Sequence, residues 1–314
     1  MTRRLKNKSG FALVLTLIIT ALMVAVVTEM IHQVYVDVSL SRSFRDGQQA
    51  SIMAASGVEG AARLLNQKVG SATVAYTSLT DMWAVPIKLD DEAGSLEITV
   101  SEESGKINVN DLVQPNGEYL EFTRGVLERL STRMKLPLDM WAAVADWIDT
   151  DDIQRSGGAE SVYYRALQPP YSARNGKLVT LTELSLVKGI TPEILGKLRP
   201  CLTVFSEQDS SMVQTRININ TAPKDVLAVL DKGIDDRMAA QIVAERTIQP
   251  FKSVSELANR VPGMDTVATA LISKATVKGT VFRITSVAKV KDSGRTVEAV
   301  VRLGTRGYLS WQEY

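Results

Sequence analysis

The hydrophobic pattern begins with one long helical stretch. From Phe11 to Thr28 no side chain carries a charge, and apolar residues then recur at mostly three-to-seven-residue spacing. These 18 residues give roughly 27 Å of helix at about 1.5 Å each, enough to cross the hydrocarbon core of a bilayer. Because no proline occurs before Pro86, the pattern predicts one helix over 11–68, whose first part, 11–28, spans a membrane.

Three glycines interrupt this helical pattern beyond the membrane segment. Gly47, Gly57 and Gly60 each weaken a helix by about 1 kcal/mol relative to alanine. A helix that bends or partly melts at these positions is therefore the alternative to a continuous one.

Alternating apolar and polar side chains predict strands on both sides of a helical middle. Segments 96–100 and 106–110 alternate before it, and segments 282–290 and 296–303 alternate beyond it, around the turn residues Asp-Ser-Gly. The last two form a strong hairpin signal. Strands so far apart in sequence would close one antiparallel sheet against the long helix.

The predicted fold class is therefore α+β. A long N-terminal membrane-spanning helix would pack on a small antiparallel sheet formed by 69–110 and 280–314, and a large all-α domain would be inserted over 111–279.

The insert contains an internal repeat that predicts helical hairpins. Two segments each carry a Ser/Thr-x-x-Glu capping box, an apolar run and a glycine suited to a left-handed turn. The first contains Thr180, Glu183 and Gly189, and the second contains Ser253, Glu256 and Gly263. A second repeat relates Ile107-Asn-Val-Asn110 to Ile217-Asn-Ile-Asn220.

Composition narrows the possible functions. The 36 Lys and Arg residues balance 35 Asp and Glu residues, so no global field gathers nucleic acid or anionic lipid. A single cysteine, Cys201, excludes an internal disulfide and a thiolate zinc site, and a single histidine, His32, follows the apolar segment. Hydrolase chemistry based on histidine is therefore not expected, and we predict that the protein is not an enzyme.

The charges of the first ten residues predict a basic leader segment. They carry four positive charges and no negative charge, which predicts a cytoplasmic N-terminus with the bulk of the chain across the membrane. The residues after the apolar segment, Glu29-Met-Ile-His-Gln, offer no small-residue cleavage site, so the apolar segment is predicted to be retained.

A leader ending in Gly10, followed at once by Phe11 and a long apolar helix, resembles that of type IV pilin-like proteins. The resemblance implies cleavage between Gly10 and Phe11 by prepilin peptidase and N-methylation of Phe11. An ordinary signal anchor is the alternative. Leu15 departs from the usual pilin pattern, which has glutamate at this fifth mature position. The pseudopilins that lack this glutamate are the minor, K-type proteins of type II secretion, and these also combine a pilin-like core with a large α-domain.

An acidic loop follows an apolar helix in the insert. Five carboxylates lie between residues 146 and 160, and clustered oxygen ligands on a flexible loop suit calcium better than zinc. The alternative is that Asp149 and Asp151 cap a helix or face water, with Arg155 and Arg165 as partners. K-type pseudopilins resemble this stretch in an Asp-Trp-Ile-Asp-x-Asp plus Gly-Gly-x-Glu pattern associated with bound calcium. The resemblance favours a calcium site, with Asp149, Asp151 and Glu160 as expected ligands.

Residues 217–265 resemble the helix-hairpin-helix modules of competence-type DNA receptors. Such modules bind a phosphate through backbone N–H groups at a Gly-x-Gly hairpin. Here Asp235 and Asp265 follow two of the hairpin glycines, and 215–279 carries nine basic against seven acidic residues. A scaffold use of the hairpins is therefore favoured, and no nucleic acid partner is expected.

The K-type resemblance as a whole implies a minor pseudopilin at the tip of the type II secretion pseudopilus. It implies a single-pass inner-membrane protein with a periplasmic bulk that helps to start pseudopilus assembly and export of folded periplasmic proteins. The implied partners are other minor pseudopilins, the major pseudopilin, prepilin peptidase and the inner membrane. A membrane-tethered DNA receptor and a minor pilin of a type IV pilus are the alternatives.

Overall fold

Helices and strands occupy most of the chain in the computed structural model, which describes residues 8–71, 73–206, 215–305 and 307–314. The first seven residues of the predicted leader lie outside the described residues. In chain order the elements are α1 Lys8–Lys68, β1 Ile87–Asp91, β2 Gly94–Glu102, β3 Ile107–Asn108, α2 Glu121–Met134, α3 Met140–Ile148, α4 Ser161–Arg165, α5 Pro192–Leu198, β4 Leu202–Thr203, β5 Ile217–Asn218, α6 Lys224–Val229, α7 Asp236–Ile248, α8 Glu256–Arg260, α9 Asp265–Leu271, β6 Ala275–Thr276, β7 Val281–Val290, β8 Ser293–Arg302 and β9 Tyr308–Glu313. Short 3₁₀ helices occur at Met82–Ala84, Val109–Asp111 and Leu181–Leu186.

The predicted long helix is present as α1, which runs unbroken for 61 residues. At about 1.5 Å per residue it is roughly 90 Å long. It continues through all three glycines, and Gly57 has a packing role there. A Cβ at Gly57 would lie 2.4 Å from Ser286 Oγ and 3.3 Å from the Ile98 side chain. The missing side chain lets the helix approach the sheet closely.

The C-terminal part of α1 packs on a five-stranded antiparallel sheet of order β1-β2-β7-β8-β9. Helix residues three or four apart form the buried face, as expected for an amphipathic helix. This core includes Ala50, Ala54, Val58, Ala61 and Leu65 from the helix and Ile98, Phe282, Ile284, Val297 and Ala299 from the strands. The predicted α+β class and the predicted C-terminal hairpin, observed as β7 and β8, are confirmed.

The prediction that 106–110 forms a strand of this sheet is wrong. Only Ile107–Asn108 is extended, and it pairs in parallel with Leu202–Thr203 inside the insert. The next residues turn into a 3₁₀ helix because the Asn108 side chain accepts a hydrogen bond from the backbone N–H of Asn110. The outer strands of the sheet are instead β1 and β9, which the sequence pattern did not predict.

The insert is built from two similar modules. In the first, β3 pairs with β4, and in the second, β5 pairs in parallel with β6. Asn110 donates to the carbonyls of Leu178 and Val204 and accepts from Leu178 N. Asn220 makes the same three kinds of bond, to Phe251 O, Val277 O and Phe251 N. The repeated Asn therefore fastens each module's first strand to its hairpin and to the segment that closes it.

The two predicted hairpin signals differ in detail. Gly189 and Gly263 adopt left-handed φ angles of 84° and 86°, as expected. In the first capping box, Glu183 Oε1 accepts from the backbone N–H of Thr180 at 2.9 Å. The second box is not formed as predicted, because α8 begins only at Glu256, whose carboxylate accepts from the backbone N–H of Lys252.

The insert lies at the end of the sheet where α1 ends. Thr77 N, shortly after α1, donates to Val277 O, and Glu103 N donates to Val281 O at the end of β2. The opposite end of the sheet contacts the middle of α1, where Lys291 pairs with Asp46. The insert is therefore at the far end of the molecule from the apolar N-terminal half of α1.

Candidate functional site

Three carboxylates converge at the start and end of the acidic loop. Asp146 lies in the last turn of α3, Asp149 is the C-cap of that helix, and Glu160 is the N-cap residue of α4. One oxygen of each lies within 4.8 Å of one oxygen of each of the others. The loop between Asp149 and Glu160 therefore begins and ends beside the C-terminus of α3.

The cluster is buried and only partly satisfied. Glu160 is 3% exposed, and neither of its carboxylate oxygens has a hydrogen-bond partner among the described residues. Asp149 is 4% exposed, and within the same described part of the chain its Oδ1 also lacks a partner. Buried carboxylate oxygens without donors are costly, so this arrangement suits a bound cation.

Glycine and two side chains shape the loop around the cluster. A Cβ on Gly158 would lie 2.0 Å from Asp146 Oδ2, so only glycine fits there without a shift. The carbonyl of Gly158 accepts from Gln154 Nε2 at 2.9 Å and from Lys188 Nζ at 3.1 Å. These contacts fix the segment that carries Glu160.

Arg155 is the basic partner of two of the three carboxylates. Its Nη1 donates to Asp146 Oδ1 at 2.7 Å and also to Asp149 Oδ2. Its backbone N–H faces both oxygens of Asp146, and its Nη2 donates to Gly117 O at 2.5 Å. The alternative that Arg155 pairs with the acidic residues is thus also observed, whereas Arg165 contacts Ser172 Oγ.

Burial and repulsion between neighbouring carboxylates raise the pKa values of Glu160 and Asp149. Burial, reinforced by the negative charges of Asp146 and Asp149, raises the pKa of Glu160 to about 7. Burial also raises the pKa of Asp149 above its ordinary value, although Arg155 opposes this shift. When all three carboxylates are ionised, three negative charges against the one positive charge of Arg155 leave −2.

The sequence predicted two of these three residues and missed Asp146. Asp149 and Glu160 are brought together, while Asp151 is exposed and its Oδ1 accepts from Ile153 N at 2.8 Å. Helical spacing was the available signal, because positions three apart share one face of a helix whereas positions two apart do not. Asp146 and Asp149 meet that criterion and Asp151 does not.

The donor set fits a hard divalent cation. All three side chains offer carboxylate oxygens, and no histidine or cysteine belongs to the group. Calcium accepts six to eight oxygen ligands in flexible geometry, so neighbouring carbonyls and water would complete such a site. Asp146, Asp149 and Glu160 are the residues of this structure that would hold it.

The predicted processing and filament residues lie at the start of α1. Phe11 follows Gly10 directly and is 74% exposed, and Leu15, one turn further along the helix, is 47% exposed. Within the described residues, one helix is long and apolar enough to cross a membrane, and none of its most apolar stretch is buried. Exposure of so many apolar side chains to water is energetically unfavourable, which favours a membrane anchor.

The helical hairpins present carboxylates where a phosphate would bind. Asp235 is the N-cap of α7, and its Oδ1 accepts from Met238 N at 2.7 Å. Asp265 is the first residue of α9. A carboxylate that already occupies a helix N-terminus repels a phosphate there, which favours the scaffold interpretation.

Comparison with known proteins identifies relatives over almost the whole chain. Two family models, both described as type II secretion system (T2SS), protein K, match residues 105–207 and 217–278. The type II secretion system protein K of Aeromonas hydrophila is 25% identical over 94% of this chain and 93% of its own length. That of Pseudomonas aeruginosa is 26% identical over 97% of this chain and 91% of its own length.

A solved structure shares the fold. One chain of the crystal structure of the GspK-GspI-GspJ complex from the type 2 secretion system of enterotoxigenic Escherichia coli matches with a TM-score of 0.70. The match has 23% sequence identity and covers 87% of this chain and 99% of that chain. The two family models together span more than half of the 314 residues. The chain therefore belongs to the type II secretion system protein K family and is a minor pseudopilin of K type.

Proposed function

We propose that this protein is the tip subunit of the type II secretion pseudopilus, where it helps to start assembly and so supports the export of folded periplasmic proteins. The observation that carries the proposal is the position of the insert, at the end of the sheet where α1 ends and far from its apolar half. In a filament whose helices point toward the membrane, this end faces away from the subunits below.

Steric bulk and charge both favour the tip. The predicted insert, 111–279, lies at the end of the sheet where α1 ends, and its bulk would hinder a subunit stacked directly above. Leu15 lacks the carboxylate that could meet the N-terminal amine of a subunit above, and an unpaired charge in lipid is costly. A subunit at the very top has no such amine to meet.

The proposed partners follow from this position. The similar solved structure is a complex of GspK with GspI and GspJ, which supports other minor pseudopilins as neighbours. The major pseudopilin would lie below them, and prepilin peptidase would cleave between Gly10 and Phe11. The basic leader supports an inner-membrane protein with a cytoplasmic N-terminus and a periplasmic bulk. The role is structural, and no catalytic step is assigned.

Calcium is the proposed cofactor of the acidic loop. The unpartnered oxygens of Asp149 and Glu160, together with Asp146, support direct ligation. Asp151, the third ligand expected from the sequence, remains a candidate from the exposed side of the loop. When bound, calcium would neutralise the cluster and fix the loop to the end of α3.

Localisation within assembled filaments tests the proposed position. A small epitope in the exposed turn at Lys232 and Gly233, within the insert, would be detected by electron microscopy on pseudopili from cells that also carry a tagged major pseudopilin as control. We expect one label at one filament end and the control label along the whole length. Labels of this chain spread along the shaft would overturn the proposal.

A further inference from the structure

We infer that Arg155 is a resident counter-cation of the carboxylate cluster, which competes with a metal ion for Asp146 and Asp149. This inference rests on the calcium site proposed above and assigns Arg155 a role toward it. The side chain would stabilise the metal-free loop and lower the affinity for metal.

The geometry of the guanidinium carries the inference. A single nitrogen, Arg155 Nη1, donates to an oxygen of Asp146 and to an oxygen of Asp149, so it bridges the two carboxylates. The contacts are buried, with 18% of the Arg155 side chain exposed and 0% and 1% of the two aspartate side chains. A cation shared by these aspartates would bind oxygens of the same two carboxylates, including the unpartnered Oδ1 of Asp149, and would therefore lie close to the guanidinium charge.

The guanidinium leaves the third carboxylate unsatisfied. Among the described residues, Glu160 has no hydrogen-bond partner on either oxygen, although one of its oxygens lies within 4.8 Å of ligand atoms of both aspartates. Arg155 therefore neutralises part of the cluster and cannot serve all of it. A divalent ion that contacts all three carboxylates gains the Glu160 interaction, which gives it an advantage over Arg155.

Arg155 has other contacts that can hold its side chain in place when a metal ion binds Asp146 and Asp149. Its Nη2 donates to Gly117 O, and the guanidinium carbon lies 5.1 Å from the centre of the Tyr119 ring. A cation over an aromatic face at this distance is favourable. The loss of the aspartate contacts therefore does not leave a buried arginine without partners.

Competition predicts that removal of the positive charge tightens metal binding. A unit charge a few ångströms from a divalent ion repels it strongly in a partly buried site. We expect Arg155→Gln to bind calcium about tenfold more tightly than the unchanged protein. The same variant should melt at a lower temperature without calcium, because Asp146 and Asp149 lose their partner.

The test uses the full chain in detergent, stripped of metal with a chelator. Calcium affinity is measured by isothermal titration calorimetry and stability by thermal melting, for the unchanged protein, Arg155→Gln and Arg155→Lys. Arg155→Lys is expected to gain about threefold, because a lysine ammonium does not offer the planar fork of arginine. Arg165→Gln removes an exposed arginine that contacts Ser172 and is the matched control, with unchanged affinity.

Three results separate the possibilities. Tighter calcium binding by Arg155→Gln and Arg155→Lys supports competition, and so does a Gln variant that folds only when calcium is added. Equal or weaker binding by both variants, with normal binding by the unchanged protein, would overturn the role of Arg155 and leave the calcium site intact. Absence of calcium binding by the unchanged protein would overturn the proposed site and this inference together.

Discussion

Glu103 and Arg283 form an ion pair at the junction between sheet and insert, with Glu103 Oε1 accepting from Arg283 Nε at 2.8 Å. The same carboxylate accepts from Lys106 Nζ at 2.8 Å and from Thr203 Oγ1 at 2.5 Å. Arg283 belongs to β7 of the sheet and Thr203 to β4 of the insert. One fully buried carboxylate thus connects the two parts of the protein.

We predict that Glu103→Gln destabilises the fold. The amide keeps the shape of the side chain but leaves Lys106 and Arg283 without their shared anionic partner. Removal of one member of a buried ion pair costs about 3 kcal/mol. The free energy of unfolding in urea, measured on the full chain in detergent, should fall by that amount. Glu92→Gln, at an exposed position, is the matched control and should change stability little; an equal loss in both variants would contradict the prediction.

The same carboxylate predicts a loss of stability in acid. Burial by itself raises the pKa of Glu103, but Lys106 and Arg283 outweigh burial, so the pKa lies below its ordinary value of 4.5. A lowered folded-state pKa gives a stabilisation that is present above pH 4.5 and is lost as pH falls through the folded-state pKa. Unfolding free energies measured from pH 6 to pH 3 (about the range in which carboxylates titrate) should therefore fall less in Glu103→Gln. Parallel curves would exclude this contribution.

Calcium should stabilise the protein against heat. A ligand that binds only the folded state at a hundredfold excess over its Kd adds about 2.7 kcal/mol, so the melting temperature should rise on calcium addition and fall with chelator. Glu160→Gln should abolish most of this gain, since it removes a charged ligand at the buried centre of the cluster. Scanning calorimetry of metal-stripped protein provides the measurement.

Two exposed neighbours distinguish ligands from bystanders in that experiment. Asp151→Asn should reduce the calcium-dependent gain in part, because Asp151 can contribute an oxygen only from the exposed side of the loop. Asp152→Asn should change the gain much less than Glu160→Gln, because Asp152 is exposed and its Oδ1 is engaged by Asn175 Nδ2 at 3.3 Å. A full gain in Glu160→Gln would leave the cluster without a calcium function.

Processing should remove the residues before Phe11. In cells with active prepilin peptidase, intact-mass analysis should find a mature chain that begins with N-methyl-Phe11. Replacement of Gly10 by valine, which places a branched side chain at the cleavage junction, should leave the precursor uncut. A chain that retains Met1 in the unchanged protein would favour the ordinary signal anchor.

Loss of the protein should affect the start of filaments more than their shafts. A subunit that acts at the tip is needed once per filament, so cells without it should form fewer pseudopili of ordinary length and resistance to shear. Counts and lengths from electron micrographs measure both quantities, with a complemented strain as control. A normal number of fragile filaments would place the protein in the shaft instead.

Local patterns in the sequence were sufficient to predict several helices, strands and turns of this protein. The uncharged segment from Phe11, the alternation in 282–290 and 296–303, and the hairpin glycines Gly189 and Gly263 each predicted the element that the structure contains. These features depend on near neighbours, through helix periodicity, strand alternation and backbone conformation. The sequence also showed the repeated Ile-Asn-x-Asn motif, but it did not reveal the hydrogen bonds that Asn110 and Asn220 make.

Long-range pairing was decided only by the tertiary structure. Segment 106–110 alternates like a strand of the main sheet, yet Ile107 pairs with Leu202 because buried backbone groups must find partners wherever the fold brings them. Likewise, the Asp-Trp-Ile-Asp-x-Asp pattern of the acidic loop suggested Asp151, whereas the end of α3 turns Asp146 toward Glu160 and places Arg155 against it. Sequence supplies the charged groups of such a site, and three-dimensional packing selects which of them lose their water and come into contact.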